Sequence, residues 1–293
     1  MPRLAVNRSR AFTVLLVAAL TSSAGCGLLR KAAMGSLMED MAIAANKQED
    51  AELVAQAMPT FLLIVDGLIE GNPNDTDWLI DASKAYLSYG ALIELSAPDR
   101  ARLMYRRGKD YGLRALSQKR RAVRPLLAAP FSQFTEITAV LRPEDIDLVF
   151  WAASGWGAWI SLSTDSMAAL ADLPRVILLM EWVIERDETI LFGSPHLFLG
   201  MYYAALPPIL GGKPERSREH FERAIELSDG KSSMVYVQMA RYYAKQIYDR
   251  ELYISLLRRA LDVPVDAVAE LTLQNAAARE LAHTLLDDTD AFF

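Results

Sequence analysis

The residues able to do chemistry in this chain are few and scattered. Its 293 residues include one cysteine, Cys26, and three histidines, His196, His220 and His283. A lone cysteine cannot close an internal disulfide, and no second thiol can help it hold a metal. None of the histidines lies in an HExxH pattern, so neither a metal site nor a cofactor is expected. No P-loop or dinucleotide fingerprint is present. The segment "ASGWG" places Ser154 before Gly155 but lacks the first glycine and the strand of a nucleophile elbow. Glu144-Asp145 and Asp287-Asp288 fall at a helix start and near the chain end, where helix-dipole and solvation effects account for acids. His220, in "REHFER", reads as a solvated helix residue, and His196, after Pro195, as a packed helix start. No catalytic constellation emerges, so the chain is not expected to be an enzyme.

The densest unusual chemistry is "VFWAASGWGAWISLS". It holds Trp151, Trp156 and Trp159, three of the five tryptophans, interleaved with Gly155, Gly157 and alanines. Each glycine inside a helix costs about 1 kcal/mol relative to alanine, so close approach of something should offset it. One candidate is a neighbouring helix. The other is an apolar ligand or a partner side chain, with these five residues forming a binding wall. Trp156 and Trp159 share a helical face and Trp151 lies about 140° from Trp156. At least one ring should therefore face a neighbouring helix pair or a cavity. "QKRRAVR" adds a basic cluster, Lys119, Arg120, Arg121 and Arg124. It reads as a solvated helix end, with docking of an acidic partner or lipid headgroups as the alternative.

Cys26 takes its meaning from what precedes it. Residues 1–10 carry Arg3, Arg8 and Arg10 and no acid, residues 11–20 are apolar apart from Thr13, and small residues follow. That is the plan of a secretory signal. An apolar run this short cannot span a bilayer, which takes about 20 residues. Ser23-Ala24-Gly25-Cys26 resembles a bacterial lipobox, in which the chain is cut before a diacylated cysteine. The expected organisation is a lipoprotein signal peptide at 1–25, a lipid-anchored tether and start of the first helix at 26–47, and a helical domain at 48–293. Gly27, where an Asp would suggest inner-membrane retention, favours the outer membrane.

Cleavage before Cys26 removes three of the 31 basic residues and none of the 37 acids, leaving 28 against 37, a charge of −9. That sign excludes a nucleic-acid binder with a broad basic face. No second apolar segment of spanning length is expected. At 52% apolar residues the chain can bury a sizeable core without disulfides.

Periodicity and breakers divide the chain into helices near 49–70, 77–95, 98–116, 144–162, 173–189, 196–207, 214–228, 232–247, 249–261 and 266–286. Pro59 should cause a kink or a restart in the first of these. Asp75 or Thr76 should cap the second and Ser96 the third. No alternating strand pattern is found, so the fold class is all-α. The helices pair. Met239, Ala240, Tyr243, Leu256 and Pro264 fit the tetratricopeptide (TPR) template of about 34 residues, although Leu252 and Arg259 stand where it wants small residues. Leu199, Gly200 and Tyr203, with Ser217, Phe221 and Ala224, form an earlier pair with a lengthened turn. Phe221 should pack against Tyr203 and Leu199. Ser83, Tyr86, Ala101, Tyr105 and Gly108 suggest a third. "WAASGWGAWISLS" with "LPRVILLMEWVIE" suggests a fourth. The architecture expected is TPR-like helix-turn-helix repeats, about four degenerate pairs, with an additional N-terminal helical segment. Such pairs stack and leave a concave binding surface.

Taken with the lipobox, the tryptophan-glycine helix, "LPRVILLMEWVIE", "FGSPHLFLGMYYAALPPILGGKPERSREHFERAIEL" and "MVYVQMARYYAKQIYDRELYISLLRRAL" resemble the T-component family of TRAP (tripartite ATP-independent periplasmic) transporters. The resemblance covers nearly the whole chain after Cys26 and is least distinctive over 118–140. It implies no enzyme activity and brings no catalytic residues. It implies a periplasm-facing lipoprotein that associates with the TRAP solute-binding protein, forms a homo-oligomer and handles an apolar small molecule. The alternatives are a structural TPR lipoprotein of envelope assembly and a hydrophobic-ligand carrier without a transporter. Replacing Cys26→Ser should abolish acylation and release the protein from membranes. Fractionation showing it still membrane-bound would overturn the lipoprotein reading.

Overall fold

The computed structural model describes residues 31, 33–205 and 212–293, so the signal peptide and Cys26 lie outside the described residues. The chain divides into two units, 1–47 and 48–293. Of the first, a helix over 33–46 is described. The second is all-helical, with no strand among the described residues.

Its longer helices are α1 (Ala51–Gly71), α2 (Thr76–Ile93), α3 (Pro98–Lys119), α4 (Ile146–Ser161), α5 (Leu173–Ile184), α6 (Ile190–Ala205), α7 (Pro214–Leu227), α8 (Ser233–Gln238), α9 (Arg250–Asp262) and α10 (Thr272–Asp287). α8 runs on as a π-helical stretch, Met239–Ala244. Packing is mainly between neighbours: α2 on α3, α3 on α4, α4 on α5, α6 on α7, and α8 and α10 on α9. α10 also touches α1.

Local signals set most boundaries. Asp75 caps α2 by accepting from the Asp77 amide at 3.1 Å, and Asp249 caps α9 by accepting from Leu252. The expected Ser96 cap is absent. Ala97 is the N-cap of α3, and the Ser96 hydroxyl points back to the Ile93 carbonyl at 3.4 Å. Pro98 at the first turn supplies the start instead, because its fixed φ suits that position. The stretch 118–140, given no helix from sequence, contains short turns at Val123–Leu127, Phe131–Phe134 and Ile137–Val140. α6 differs most from expectation. Leu191, Phe192 and Gly193 take left-handed φ values of 46°, 59° and 80° before the helix proper. Only the glycine adopts this without steric cost, and a Cβ on Gly193 would also lie 2.9 Å from Leu227 Cβ.

α1 overturns the expectation of no later segment of spanning length. Its most apolar window has a mean hydropathy of 1.5, and by length and composition it could cross a membrane. Pro59 lies inside it. Its inward side carries Asp66, which accepts from Tyr86 Oη at 2.7 Å, Arg107 Nη1 at 2.9 Å and Tyr111 Oη at 2.8 Å. Burial and the Asp66 carboxylate push the Tyr86 phenol up to about 12, so it stays a donor at neutral pH. This cluster ties α1 to α2 and α3.

A second buried acid starts α4. Asp145 is fully buried, bonded to Arg120 Nε at 2.6 Å and to the Arg142 amide at 2.9 Å. Arg120 also pairs with Glu144. Arg120 is therefore committed to structure, whereas Lys119, Arg121 and Arg124 are exposed. Helix dipole and solvation do not account for Asp145. Unpairing a buried charge costs far more than a surface pair contributes.

The C-terminal helices enclose a cluster that includes Phe221, Ala240, Tyr253, Leu256 and Leu257. Phe221 is fully buried with its ring on Gly200, where a Cβ would lie 3.0 Å away. Phe221→Ala should cost about 3–5 kcal/mol. Denaturant unfolding checks this, and an unchanged midpoint would contradict the packing of α6 on α7.

Candidate binding surface

The tryptophan-glycine helix, α4, lies at a close three-helix crossing. Small residues let the backbones meet there. The Ser83 hydroxyl of α2 donates to the Gly108 carbonyl of α3 at 2.9 Å. A Cβ on Gly112 would sit 2.9 Å from Ala152 Cα, and one on Gly155 would sit 2.8 Å from the Lys109 nitrogen. Neither neighbour can yield, because both are backbone. A Cβ on Gly157 would run into the Phe198 ring of α6. Both glycines of the expected wall are thus covered by the chain itself.

The three tryptophans separate. Trp156 is buried, meets Phe134 edge-on at 6.3 Å and donates from Nε1 to Asp172 Oδ2 at 3.2 Å. Trp151 and Trp159 are half-buried, and each lies under an ammonium group. Lys84 Nζ is 5.7 Å from the Trp151 ring centre, and Lys109 Nζ is 4.1 Å from that of Trp159. Of the five residues singled out from sequence, only these two present rings at the surface. Although Trp156 and Trp159 share a side of the helix, the Phe131–Phe134 turn covers only Trp156.

Sequence reasoning passed over a second cluster. His196 is buried, with Nδ1 2.9 Å from His220 Nδ1 and Nε2 3.1 Å from Glu188 Oε2. Arg223 donates from Nε to the same Glu188 Oε2 at 3.0 Å. The His220 ring stacks on Tyr203 at 5.5 Å, and Arg216 covers the other partner at 4.4 Å from the Tyr203 ring centre. His220 is therefore a half-buried packing residue, not the solvated one its charged neighbours suggested. The signal was present in the spacing: His220 lies three residues after Ser217 and four before Ala224, both buried on one helix face. Burial, the neighbouring His196 and Arg216 push His220 down to about 4. Burial also lowers His196 against the pull of Glu188. The Arg223 hydrogen bond holds Glu188 below its ordinary value. Among the described residues no group of three or more His, Cys, Asp and Glu side chains is placed to hold a metal ion.

A third feature is a cavity of about 420 Å³ where the π-helical stretch faces α10. Arg241 and Lys245 line it, with Leu95 from the α2–α3 connection, Leu281 and Leu285 from α10, and Phe292.

Neighbouring helices packed at small-residue crossings define a class of all-helical proteins. Within it, this chain belongs to the TRAP transporter T-component family, whose profile matches residues 47–293. A protein of Treponema pallidum (strain Nichols), described as uncharacterized, is 20% identical over 264 residues, covering 85% of this chain and 82% of its own length.

The histidine pair gives a pH prediction with a definite sign. Unfolded imidazoles take up protons below about pH 6.5, while folded His220 resists until about 4. The folded state binds fewer protons in that window, so its stability is full above pH 6.5 and falls as the pH drops toward 4. Glu188, being depressed, loses its contribution only at lower pH. The melting temperature should fall between pH 6.5 and 4.5, and His220→Gln should flatten that slope. An equal slope in the variant would place the titrating groups elsewhere.

Proposed function

We propose that this protein is a non-enzymatic accessory of a TRAP transporter, held facing the periplasm as a lipoprotein through acylated Cys26, whose helical array docks the transporter's solute-binding protein. The observation that carries this reading is the family match, which runs across the whole array from 47 to 293. The signal-like N-terminus and the lipobox support the anchor, and Gly27 the outer membrane.

The array is read as TPR-like. What supports this is the recurrence of small residues at pair crossings: Ser83 on Gly108, and Ser217, whose hydroxyl donates to the Gly200 carbonyl at 2.8 Å. The same short side chains serve the same close approach in two separate pairs. Stacking of such pairs leaves concave and edge surfaces on which a partner protein or a second copy of the chain can seat.

In this reading Trp151 and Trp159 are the aromatic anchors toward partner or apolar ligand. Large rings in partly desolvated settings contribute most to protein interfaces. Gly155, Gly157 and Trp156 set the helix on which they stand. Affinity purification of the tagged protein from membranes should co-purify a TRAP solute-binding protein. Trp151→Ala with Trp159→Ala should weaken that capture by about tenfold or more while the melting temperature stays near that of the parent. Recovery of envelope-assembly proteins without any TRAP component would overturn the proposal in favour of a structural scaffold.

A further inference from the structure

The cavity at the π-helical stretch combines charge and apolar surface in a way the fold does not require. π-helical turns are rare and are frequently found at functional sites. Here the turn, Met239–Ala244, places Arg241 on the cavity wall, and Lys245 follows immediately. The two lie four residues apart and share a helical face.

Among the described residues, neither cation has a carboxylate at hydrogen-bond distance. Arg241 is 28% exposed, and the one carboxylate within 4 Å among the described residues is Glu94, at 4.0 Å and beyond hydrogen-bond reach. Glu94 is itself engaged, accepting from Tyr105 Oη at 2.7 Å. A guanidinium carries five donors, so most of those on Arg241 have no carboxylate to receive them. Among the described residues Lys245 has no carboxylate within 4 Å, and its Nζ lies 3.7 Å from the centre of the Phe292 ring. Asp288 is the one acid on the lining, so the wall carries a net positive charge in a chain that is acidic overall.

Leu95, Leu281 and Leu285 line the same space, and Phe292, beneath Lys245, adds to its apolar part. Leucines and an aromatic ring sharing one space with two cations match a molecule with an anionic head and an alkyl body. The volume, about 420 Å³, is near the lower end of the roughly 300–1,000 Å³ typical of ligand pockets. It suits one chain better than two. The geometry points to this cavity as a binding site for a single-chain anionic amphiphile, of which an alkyl carboxylate is the simplest. The carboxylate accepts from Arg241 and Lys245, and the chain lies along Leu281, Leu285 and Phe292. The inference rests on the reading that this protein holds an apolar ligand. It adds the head-group chemistry and moves the site from α4 to the C-terminal helices.

The test uses the full chain carrying Cys26→Ser, so that no covalent acyl chain competes for the site. Isothermal titration calorimetry compares dodecanoate with dodecanol, both kept below aggregation. Dodecanoate should bind about tenfold or more tightly than dodecanol, the margin of a charge-assisted contact. Lys245→Gln and Arg241→Gln should each remove most of that margin and leave dodecanol binding unchanged. Lys245 is exposed and makes no ion pair among the described residues, so Lys245→Gln decides the matter even if Arg241→Gln disturbs the fold. Equal affinity for the two probes, or dodecanoate binding undiminished in Lys245→Gln, overturns the anionic-head assignment alone. Binding of neither probe overturns it together with the apolar-ligand reading. Capture of the solute-binding protein tests the transporter reading separately.

Discussion

The approach of three backbones at the α2–α3–α4 crossing is the constraint on which much of the array depends. With Gly112 against Ala152 and Gly155 against the main chain of Lys109, a single added methyl would meet atoms that cannot rotate away. Overpacking of a well-filled core costs about 1–3 kcal/mol, and here the obstacle is backbone, so relief would require moving a helix. The close crossing also fixes the side chains around it. It sets Lys109 over Trp159 and aims Trp156 toward Phe134 and Asp172. Glycine inside α4 weakens the isolated helix, and tertiary packing offsets that loss.

Polar groups do a different job at the joints between layers. Asp66 gathers two tyrosines and an arginine from α2 and α3, Asp145 gathers Arg120 and the Arg142 amide, and Glu188 gathers His196 and Arg223. Each acid sits at or near the end of one helix and draws partners from another. Apolar faces alone would let neighbouring helices slide in register. A carboxylate with two or three aimed donors tolerates little sliding, because each lost bond leaves a desolvated group behind. The histidine pair adds a joint whose strength depends on pH, between α6 and α7, next to the left-handed step at Leu191–Gly193.

These joints leave surfaces of contrasting chemistry. Trp151 and Trp159 offer aromatic rings flanked by lysines, suited to a protein partner. The π-helical cavity offers two cations and leucines in one space, suited to a small amphiphile.

The sequence by itself determined the all-α class, most helix positions, a cap at Asp75 or Thr76 and the presence of an unusual tryptophan-glycine helix at α4. Those features are written in local order: 3.6-residue periodicity, proline and glycine breakers, and the cost of glycine inside a helix. Even the small residues at the crossings, Ser83, Gly108, Gly200 and Ser217, could be picked out from their spacing. What local order does not contain is the partner across the gap. Which tryptophan is covered depended on the Phe131–Phe134 turn, some twenty residues upstream in a stretch with little periodicity. His220 became a packing residue because α6 brings His196 and Tyr203 to it. Arg241 became a cavity cation because Glu94, far away in sequence, stops 4.0 Å short of it. Burial and charge pairing are set by contacts between distant segments, so only the tertiary structure could decide them.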